Sequence, residues 1–200
     1  LVSAVGGTPI QNWISPKSQR THPEMAKPFT AMDVSMKTWT PERAKDLHAR
    51  QLEGWQKLAD KAKAENKPLP PKPAPSPDPR TRAPGNLFNG KIAPLAGYAI
   101  KGAIWYQGES NAFTVEGGKF YAEQLPMLVK DWREHWAQGD FPFAWVQLPN
   151  FHNERFLGWC EVRESMLKTL AVPHTGMAIC LDLGDAKDIH PQNKQDVGRR

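Results

Sequence analysis

Short apolar runs and amphipathic stretches alternate along the second half of the chain. The apolar runs have the length of buried strands, whereas the amphipathic stretches repeat their apolar residues with the spacing of a helix. The predicted strands are 101–106, 142–148 and 176–183, and the predicted helices are 120–136, 158–170 and a segment after Pro191. This alternation predicts an α/β protein in which a parallel sheet carries helices on both faces.

The first half of the chain lacks this rhythm. A helix is predicted over about 40–65, because Thr40 suits the N-cap position and Pro41 suits the first helical position. Eight prolines follow within 67–84 and favour an extended polyproline arm. We therefore expect residues 15–86 to form an insertion in the main fold.

The composition is that of a globular chain, since 40% of its 200 residues are hydrophobic and 24% are charged. No apolar run approaches the roughly 18 residues of a membrane span. The net charge of +5 is concentrated in 41–82, where mixed signs and prolines indicate a solvated face. Neither a membrane nor a nucleic acid is therefore an expected partner. Cys160 and Cys180 form no metal-binding pattern and are interpreted as buried small apolar residues.

Three polar segments follow predicted strands. The turn Gly6-Gly7-Thr8 follows 1–5, which is interpreted as the end of a buried strand, QGESN at 107–111 follows the next strand, and LGDAKDIH ends at His190. Ligands of open parallel sheets bind beyond the carboxyl ends of the strands. The three segments are therefore expected to meet at one edge of the sheet.

The segment Asp188-Ile189-His190-Pro191 has the residues of an acid–base pair. Imidazole readily exchanges a proton near neutral pH, and a nearby carboxylate stabilises its charged form. His190 is therefore a candidate general base. The alternative is that Asp188 caps a helix beside a surface histidine.

The other two polar segments contain candidate donors for an oxyanion hole. The glycine turn brings backbone N–H groups close to a bound oxygen, and side chains of the QGESN segment offer amide donors. The alternatives are that the turn only reverses the chain, that Asn111 caps the next segment, and that Glu109 pairs with a basic neighbour.

Five motifs in order carry a resemblance to a known family. They are GGTPIQNW, LFNGKIAPL, GAIWYQGESNA, FPFAWVQLPNF and DLGDAKDIHPQNKQDVGRR. Together they resemble the sialate O-acetylesterase family of the SGNH hydrolase superfamily. The resemblance implies that 1–200 is part of one such domain, with a flavodoxin-like three-layer α/β/α sheet and the insertion described above. It also implies hydrolysis of acetyl esters on sugar hydroxyls by a serine nucleophile, without a metal or other cofactor.

The resemblance also assigns roles to individual residues. It implies that His190 is the general base and that Asp188 is the nearest acid that orients it; the position three before His190 is Lys187, so Asp185 stays a second candidate. Oxyanion donors are implied at Gly6 or Gly7 and at Asn111. Gln107, Gly108 and Glu109 shape the loop around Asn111.

The implied nucleophile is the most serious departure from the family pattern. The chain begins at Leu1 inside an apolar stretch and stops at Arg200 in a predicted helix, so both ends are expected to be cut. In the family the nucleophilic serine precedes the GGT turn, so the nucleophile is expected to lie upstream of Leu1. Ser110 in GESN imitates the nucleophile motif, but the motif order makes it a weak candidate. The fragment alone is therefore expected to be nearly inactive.

Several alternatives stay open at this point. The parent protein is expected to be a carbohydrate O-acetylesterase acting on sialic acid or on a plant or bacterial polysaccharide; the alternatives are a non-catalytic carbohydrate-binding or scaffold protein and a lipase-like esterase of the same superfamily. Trp13 and Phe151 are candidates for stacking on a sugar ring or for packing against the insertion. A secreted, periplasmic or lysosomal location is expected from the resemblance alone. The sequence does not indicate the oligomeric state.

Overall fold

A three-stranded parallel sheet forms the centre of the computed structural model, which describes residues 2–200 apart from the side chain of Arg82. The strands are β1 (Ala103–Trp105), β2 (Phe143–Val146) and β3 (Thr175–Ala178), in the order β1-β2-β3. Ala103 pairs with Phe143, which in turn pairs with Thr175. The parallel α/β architecture predicted from the sequence is confirmed.

Six α-helices and several short helical turns complete the described chain. The α-helices are α1 (Pro16–Arg20), α2 (Pro23–Met36), α3 (Pro41–Ala64), α4 (Val115–Trp136), α5 (Trp159–Lys168) and α6 (Lys194–Arg199). The 3-10 turns are Ile10–Asn12, Pro79–Arg82, Ala93–Leu95, Glu109–Asn111 and Thr169–Ala171, and Phe88–Ile92 is a π-helix. Among residues 2–200, no helix is both long and apolar enough to cross a bilayer.

Different helices pack on the two faces of the sheet, and the second face stays open at β1, where Ile104 is 85% exposed. Phe143 and Trp145 belong to the main core, to which α4 and α5 contribute most of their buried residues. Val146 points to the opposite face because side chains alternate along a strand, and it packs there with Cys180 and Val197 of α6. Helices on both faces give the expected three layers.

Helix α4, the longest helix in residues 84–200, starts at Val115, five residues before the helix predicted over 120–136. Thr114 is its N-cap and accepts a hydrogen bond from the backbone N–H of Gly117. Such a cap is invisible to hydrophobic spacing, which begins only at Phe120. Near the other end, the buried guanidinium of Arg133 donates to the carbonyls of Phe141 and Pro173 and so fixes the helix to the chain before β2 and β3.

Two predictions about local structure are wrong. Residues 2–5 do not form a strand, and Val2 is 97% exposed, because nothing in the described chain pairs with this segment; Leu1 lies outside the described residues. Cys160 is exposed on the outer side of α5, although Cys180 is buried as expected. Composition alone does not tell which face of an amphipathic helix carries a cysteine.

Residues 26–83 form a compact unit of their own, separate from the unit made by residues up to Met25 and 84–200. Within it, α3 packs along the proline-rich arm. The indole Nε1 of Trp55 donates to the carbonyl of Pro70 at 2.9 Å, and a ring nitrogen of His48 lies 3.1 Å from the carbonyl of Pro73. Proline carbonyls are left free in an extended arm, so these contacts satisfy them. The assignment of 15–86 as an insertion stays a prediction.

Candidate functional site

The QGESN segment leaves the carboxyl end of β1 in a sharply bent loop. Gly108 has a φ of 152°, and a Cβ atom at this position would lie 3.0 Å from Cγ1 of Val162 and 3.1 Å from Cε of Met166. Both the backbone conformation and the packing against α5 therefore require glycine. After Gly108 the 3-10 turn Glu109–Asn111 directs the Asn111 side chain inward, where the residue is 9% exposed.

Hydrogen bonds join this loop to the residues that follow the diglycine turn. The amide nitrogen Nε2 of Gln107 donates to the carbonyl of Thr8 at 3.0 Å and to Oδ1 of Asn111 at 2.8 Å. The backbone N–H of Ile10 donates to the same Oδ1 at 2.9 Å. Two of the three polar segments that the sequence predicts at one edge are thus in direct contact.

A buried phenol fixes Gln107 from the other side. Tyr121 of α4 donates its hydroxyl proton to Oε1 of Gln107 at 3.0 Å and accepts from the indole of Trp105 at 3.1 Å. Complete burial raises the pKa of Tyr121 far above the usual range of a phenol. The hydroxyl therefore stays protonated and remains a donor to Gln107.

The amide nitrogen of Asn111 has two partners. It lies 3.2 Å from Oε1 of Gln11 and 3.1 Å from Oε1 of Gln124. Its oxygen is already held by Gln107 and by the Ile10 N–H. Asn111 is therefore the centre of a buried polar network and not a helix cap, which was one of the alternatives from the sequence.

The two glycines of the turn are exposed, and their positions are free of packing constraints. Gly7 has a φ of 65°, the left-handed region that favours glycine, and a Cβ atom on Gly6 or Gly7 would meet nothing within 4 Å. The turn is held through Thr8, whose hydroxyl accepts a hydrogen bond from the Trp13 indole. Its backbone N–H groups stay candidate donors.

The third polar segment, which ends at His190, is exposed, and the described contacts of the Asp188 and His190 side chains are with residues close to them in the sequence. Nδ1 of His190 lies 3.7 Å from Oδ1 of Asp188, and these side chains are 84% and 47% exposed, respectively. The same carboxylate accepts the backbone N–H of His190 at 2.9 Å and a hydrogen bond from Gln192. These two hydrogen bonds lower the pKa of Asp188. The acid is therefore ionised at neutral pH beside the imidazole.

Residues next to His190 attach this segment to the sheet edge. Nζ of Lys194, at the start of α6, lies 3.4 Å from the hydroxyl of Tyr106, which directly precedes Gln107. Burial raises the pKa of Tyr106 to about 12, so the phenol is neutral next to this ammonium group. Ile189 packs against the main core. The contacts described for His190 itself are all within its own segment.

Other candidates from the sequence have different surroundings. Within the described residues, no histidine is hydrogen-bonded to the hydroxyl of Ser110, which is half-buried in the 3-10 turn. Trp13 is 4% exposed and meets Trp105 edge to face, so its ring is part of the core. Phe151 is half-buried and packs against Trp159. No group of three or more potential metal ligands occurs among residues 2–200.

Sequence reasoning missed Gln11 and Gln124, two of the three amides that surround Asn111. Gln124 is 4% exposed on the apolar face of α4, between Tyr121 and Leu128. A glutamine on an apolar stripe at helical spacing is the signal that identifies such a residue, because buried carboxamides need partners. Gln11 lies in a 3-10 turn and leaves no comparable signal.

Fold and site together define a helix-flanked parallel α/β protein with a polar network at the carboxyl edge of its sheet. The family model for a carbohydrate esterase, sialic acid-specific acetylesterase, matches residues 87–198, which is more than half of the chain. The chain therefore belongs to this carbohydrate esterase family, as the motifs predict.

Individual relatives agree with this assignment. The chain is 35% identical over 133 residues to the sialate O-acetylesterase of Mus musculus and 32% identical over 134 residues to that of Homo sapiens, in each case over 57% of this chain. These matches cover 24% and 25% of the relatives, so the chain spans about a quarter of their length. A solved carbohydrate acetylesterase from Xanthomonas citri is 44% identical with a TM-score of 0.55, over 60% of this chain and 28% of that one.

Proposed function

We propose that the protein to which this chain belongs hydrolyses acetyl esters on sugar hydroxyls. The observation that carries the proposal is the network in which Gln107 and Asn111 tie the loop after β1 to the residues after the diglycine turn. These hydrogen bonds fix the orientation of the Asn111 amide, and a preorganised amide N–H stabilises the oxygen that becomes charged when an ester carbonyl is attacked. Family membership supports the same chemistry.

In the proposed mechanism His190 is the general base and Asp188 orients it. The hydroxyl of a serine attacks the acetyl carbonyl carbon while His190 takes its proton, and the carbonyl oxygen becomes an oxyanion. The carbon–oxygen bond to the sugar then breaks, and the protonated imidazole returns the proton to the departing sugar oxygen. Water attacks the acyl-enzyme by the same route and releases acetate. The oxyanion donors are a backbone N–H of Gly6 or Gly7 and the amide of Asn111.

The serine is proposed to come from a segment upstream of Leu1. The family order of motifs supports this position, because the motif that carries the family's nucleophile precedes the GGT turn. Ser110 is a weaker candidate, since it belongs to the later motif. Assaying Ser110→Ala in the full-length protein separates these positions: we expect activity to stay within about threefold, and a loss of 10³-fold or more would identify Ser110 as the nucleophile.

The experiment that tests the function is an acetate-release assay of the full-length protein on O-acetylated sialic acid, acetylated xylan and p-nitrophenyl acetate. We expect activity on at least one acetylated saccharide and a loss of about 10³-fold or more in His190→Ala. His174→Ala is a suitable control, because this histidine precedes β3 at the amino end of the strand. Full activity of His190→Ala would contradict the role of His190.

A non-catalytic carbohydrate-binding or scaffold role is the second candidate. The observation in its favour is that the amide nitrogen of Asn111 is hydrogen-bonded to two glutamines. A protein of this kind would bind an acetylated saccharide and leave it intact, which the same assay detects by combining acetate release with saccharide binding. Binding without acetate release would support this candidate against the esterase.

A further inference from the structure

The orientation of every amide in the network around Asn111 is determined by two backbone groups. The carbonyl of Thr8 only accepts, so the atom of Gln107 that faces it is the nitrogen. The N–H of Ile10 only donates, so the atom of Asn111 that faces it is the oxygen. The nitrogen of Asn111 must therefore point away from both, towards Gln11 and Gln124.

The two acceptors on the Asn111 nitrogen have different surroundings. Gln124 is 4% exposed in the middle of α4, one turn from the fully buried Tyr121, and its Oε1 lies 3.1 Å from the Asn111 nitrogen. Gln11 is half-buried in a 3-10 turn next to the diglycine turn, and its Oε1 lies 3.2 Å away. One N–H of Asn111 is thus held by the rigid core, and the other is held by a side chain close to the surface.

We propose that Gln124 is a positioning residue that orients Asn111, and that the carboxamide oxygen of Gln11 occupies the place that the substrate's carbonyl oxygen takes during the reaction. This assignment rests on the proposed esterase function. An oxyanion is a stronger acceptor than a neutral carboxamide oxygen, so it displaces Gln11 when it forms. Gln124 keeps the other N–H throughout, which leaves Asn111 with only one orientation.

Kinetic analysis of the full-length protein with p-nitrophenyl acetate tests the proposal. Gln124→Met keeps the volume of the side chain and removes its acceptor; we expect kcat to fall about 10- to 100-fold with KM within about twofold, because the donor loses its alignment with the transition state. Gln56→Met, an exposed helical glutamine in the 26–83 unit, is the control and should leave both constants unchanged.

A double-mutant cycle separates positioning from a general loss of structure. If Gln124 acts through Asn111, then Gln124→Met has no further effect on kcat once Asn111 is alanine. An equal fold-loss in the wild-type and Asn111→Ala backgrounds would overturn the positioning role. Gln11→Ala gives a measurement that does not depend on a core substitution: we expect kcat to be retained or raised, because the N–H that faces the substrate is freed.

The outcomes distinguish the inference from the function on which it rests. A loss of kcat in Gln11→Ala as large as that in Asn111→Ala would overturn the place given to Gln11. An active wild-type protein whose Gln124→Met variant keeps its full kcat would overturn the role of Gln124 alone. A wild-type protein inactive on all acetyl esters would overturn the proposed function and this assignment together.

Discussion

The loop around Asn111 and the segment around His190, the two parts of the proposed site, are built in different ways. Asn111 is buried and its side chain has four hydrogen-bond partners from three separate parts of the chain. The imidazole of His190 is 84% exposed, and its described contacts come from within two residues. The Asn111 side chain is therefore fixed by the core, whereas the described contacts of the His190 side chain come only from its own turn.

This difference predicts that substitutions in the two regions affect stability very differently. Asn111→Ala removes the acceptor of the Ile10 N–H, one of the two acceptors of the Gln107 amide nitrogen, and the donor to Oε1 of Gln124. Because unsatisfied buried groups cost about 1–3 kcal/mol each and relax in part, we expect the free energy of unfolding to fall by about 3 kcal/mol. Urea denaturation of the chain measures it. A loss below about 1 kcal/mol would show that the network is not formed.

Gly108→Ala tests the bend that directs Asn111 inward. The added methyl group meets Val162 and Met166 at 3.0 and 3.1 Å, in a backbone conformation that disfavours any L-residue. We expect a loss of about 2 kcal/mol in unfolding free energy. Gly90→Ala serves as the control, since a Cβ atom there meets nothing within 4 Å, and should change stability by less than about 0.5 kcal/mol. Equal effects of the two substitutions would contradict the described bend.

His190→Ala is expected to change the free energy of unfolding by less than about 0.5 kcal/mol, because its side chain is mostly in solvent. The same substitution is the one proposed to abolish turnover. Thermal unfolding of the chain, measured beside Asn111→Ala, makes the contrast direct. A large destabilisation by His190→Ala would mean that the segment is held by the imidazole.

The smallest expected effect concerns the charge of Asp188. Hydrogen bonds from the His190 N–H and from Gln192 lower the pKa of Asp188 in the folded state. The ionised carboxylate therefore stabilises the folded state above the ordinary carboxyl pKa of about 3.9. This stabilisation disappears as the pH falls through the lower folded pKa. Asp188→Asn keeps an oxygen acceptor without the charge. We expect a slightly lower melting temperature than wild type at pH 7 and a difference that shrinks as the pH falls below the ordinary carboxyl pKa. A difference that grows on acidification would contradict this sign.

The sequence predicts the fold well where hydrophobic spacing reports burial directly. β1 and β2 lie within their predicted ranges, and β3 begins one residue before its predicted range and ends at Ala178. Strands of a parallel sheet read as continuous apolar runs, which is the pattern that locates all three. The segment 2–5 shows the limit of this argument, since an apolar run forms a strand only where a neighbour pairs with it. The early start of α4 depends on the Thr114 cap, which lies outside the apolar pattern.

The candidate site is predictable in part. Polarity directly after β1 identifies Gln107 and Asn111. The predicted contact with the diglycine segment is present, although residues 2–5 form no strand, so the rule for the carboxyl ends of parallel strands does not account for it. Polarity at strand ends does not identify Gln11 and Gln124, the two residues that hold the amide nitrogen of Asn111. Gln11 and Gln124 are 113 residues apart in the chain and meet only through the packing of α4 against the N-terminal turn.

The most direct test of the account is a crystal structure of the full-length protein inactivated by a phosphonate ester, which mimics the tetrahedral intermediate on the nucleophilic serine. We predict a phosphonyl oxygen about 3 Å from the amide nitrogen of Asn111, the carboxamide of Gln11 displaced, and the imidazole of His190 within hydrogen-bond distance of the serine oxygen. A phosphonyl oxygen bound away from Asn111, with His190 turned to solvent, would contradict the account.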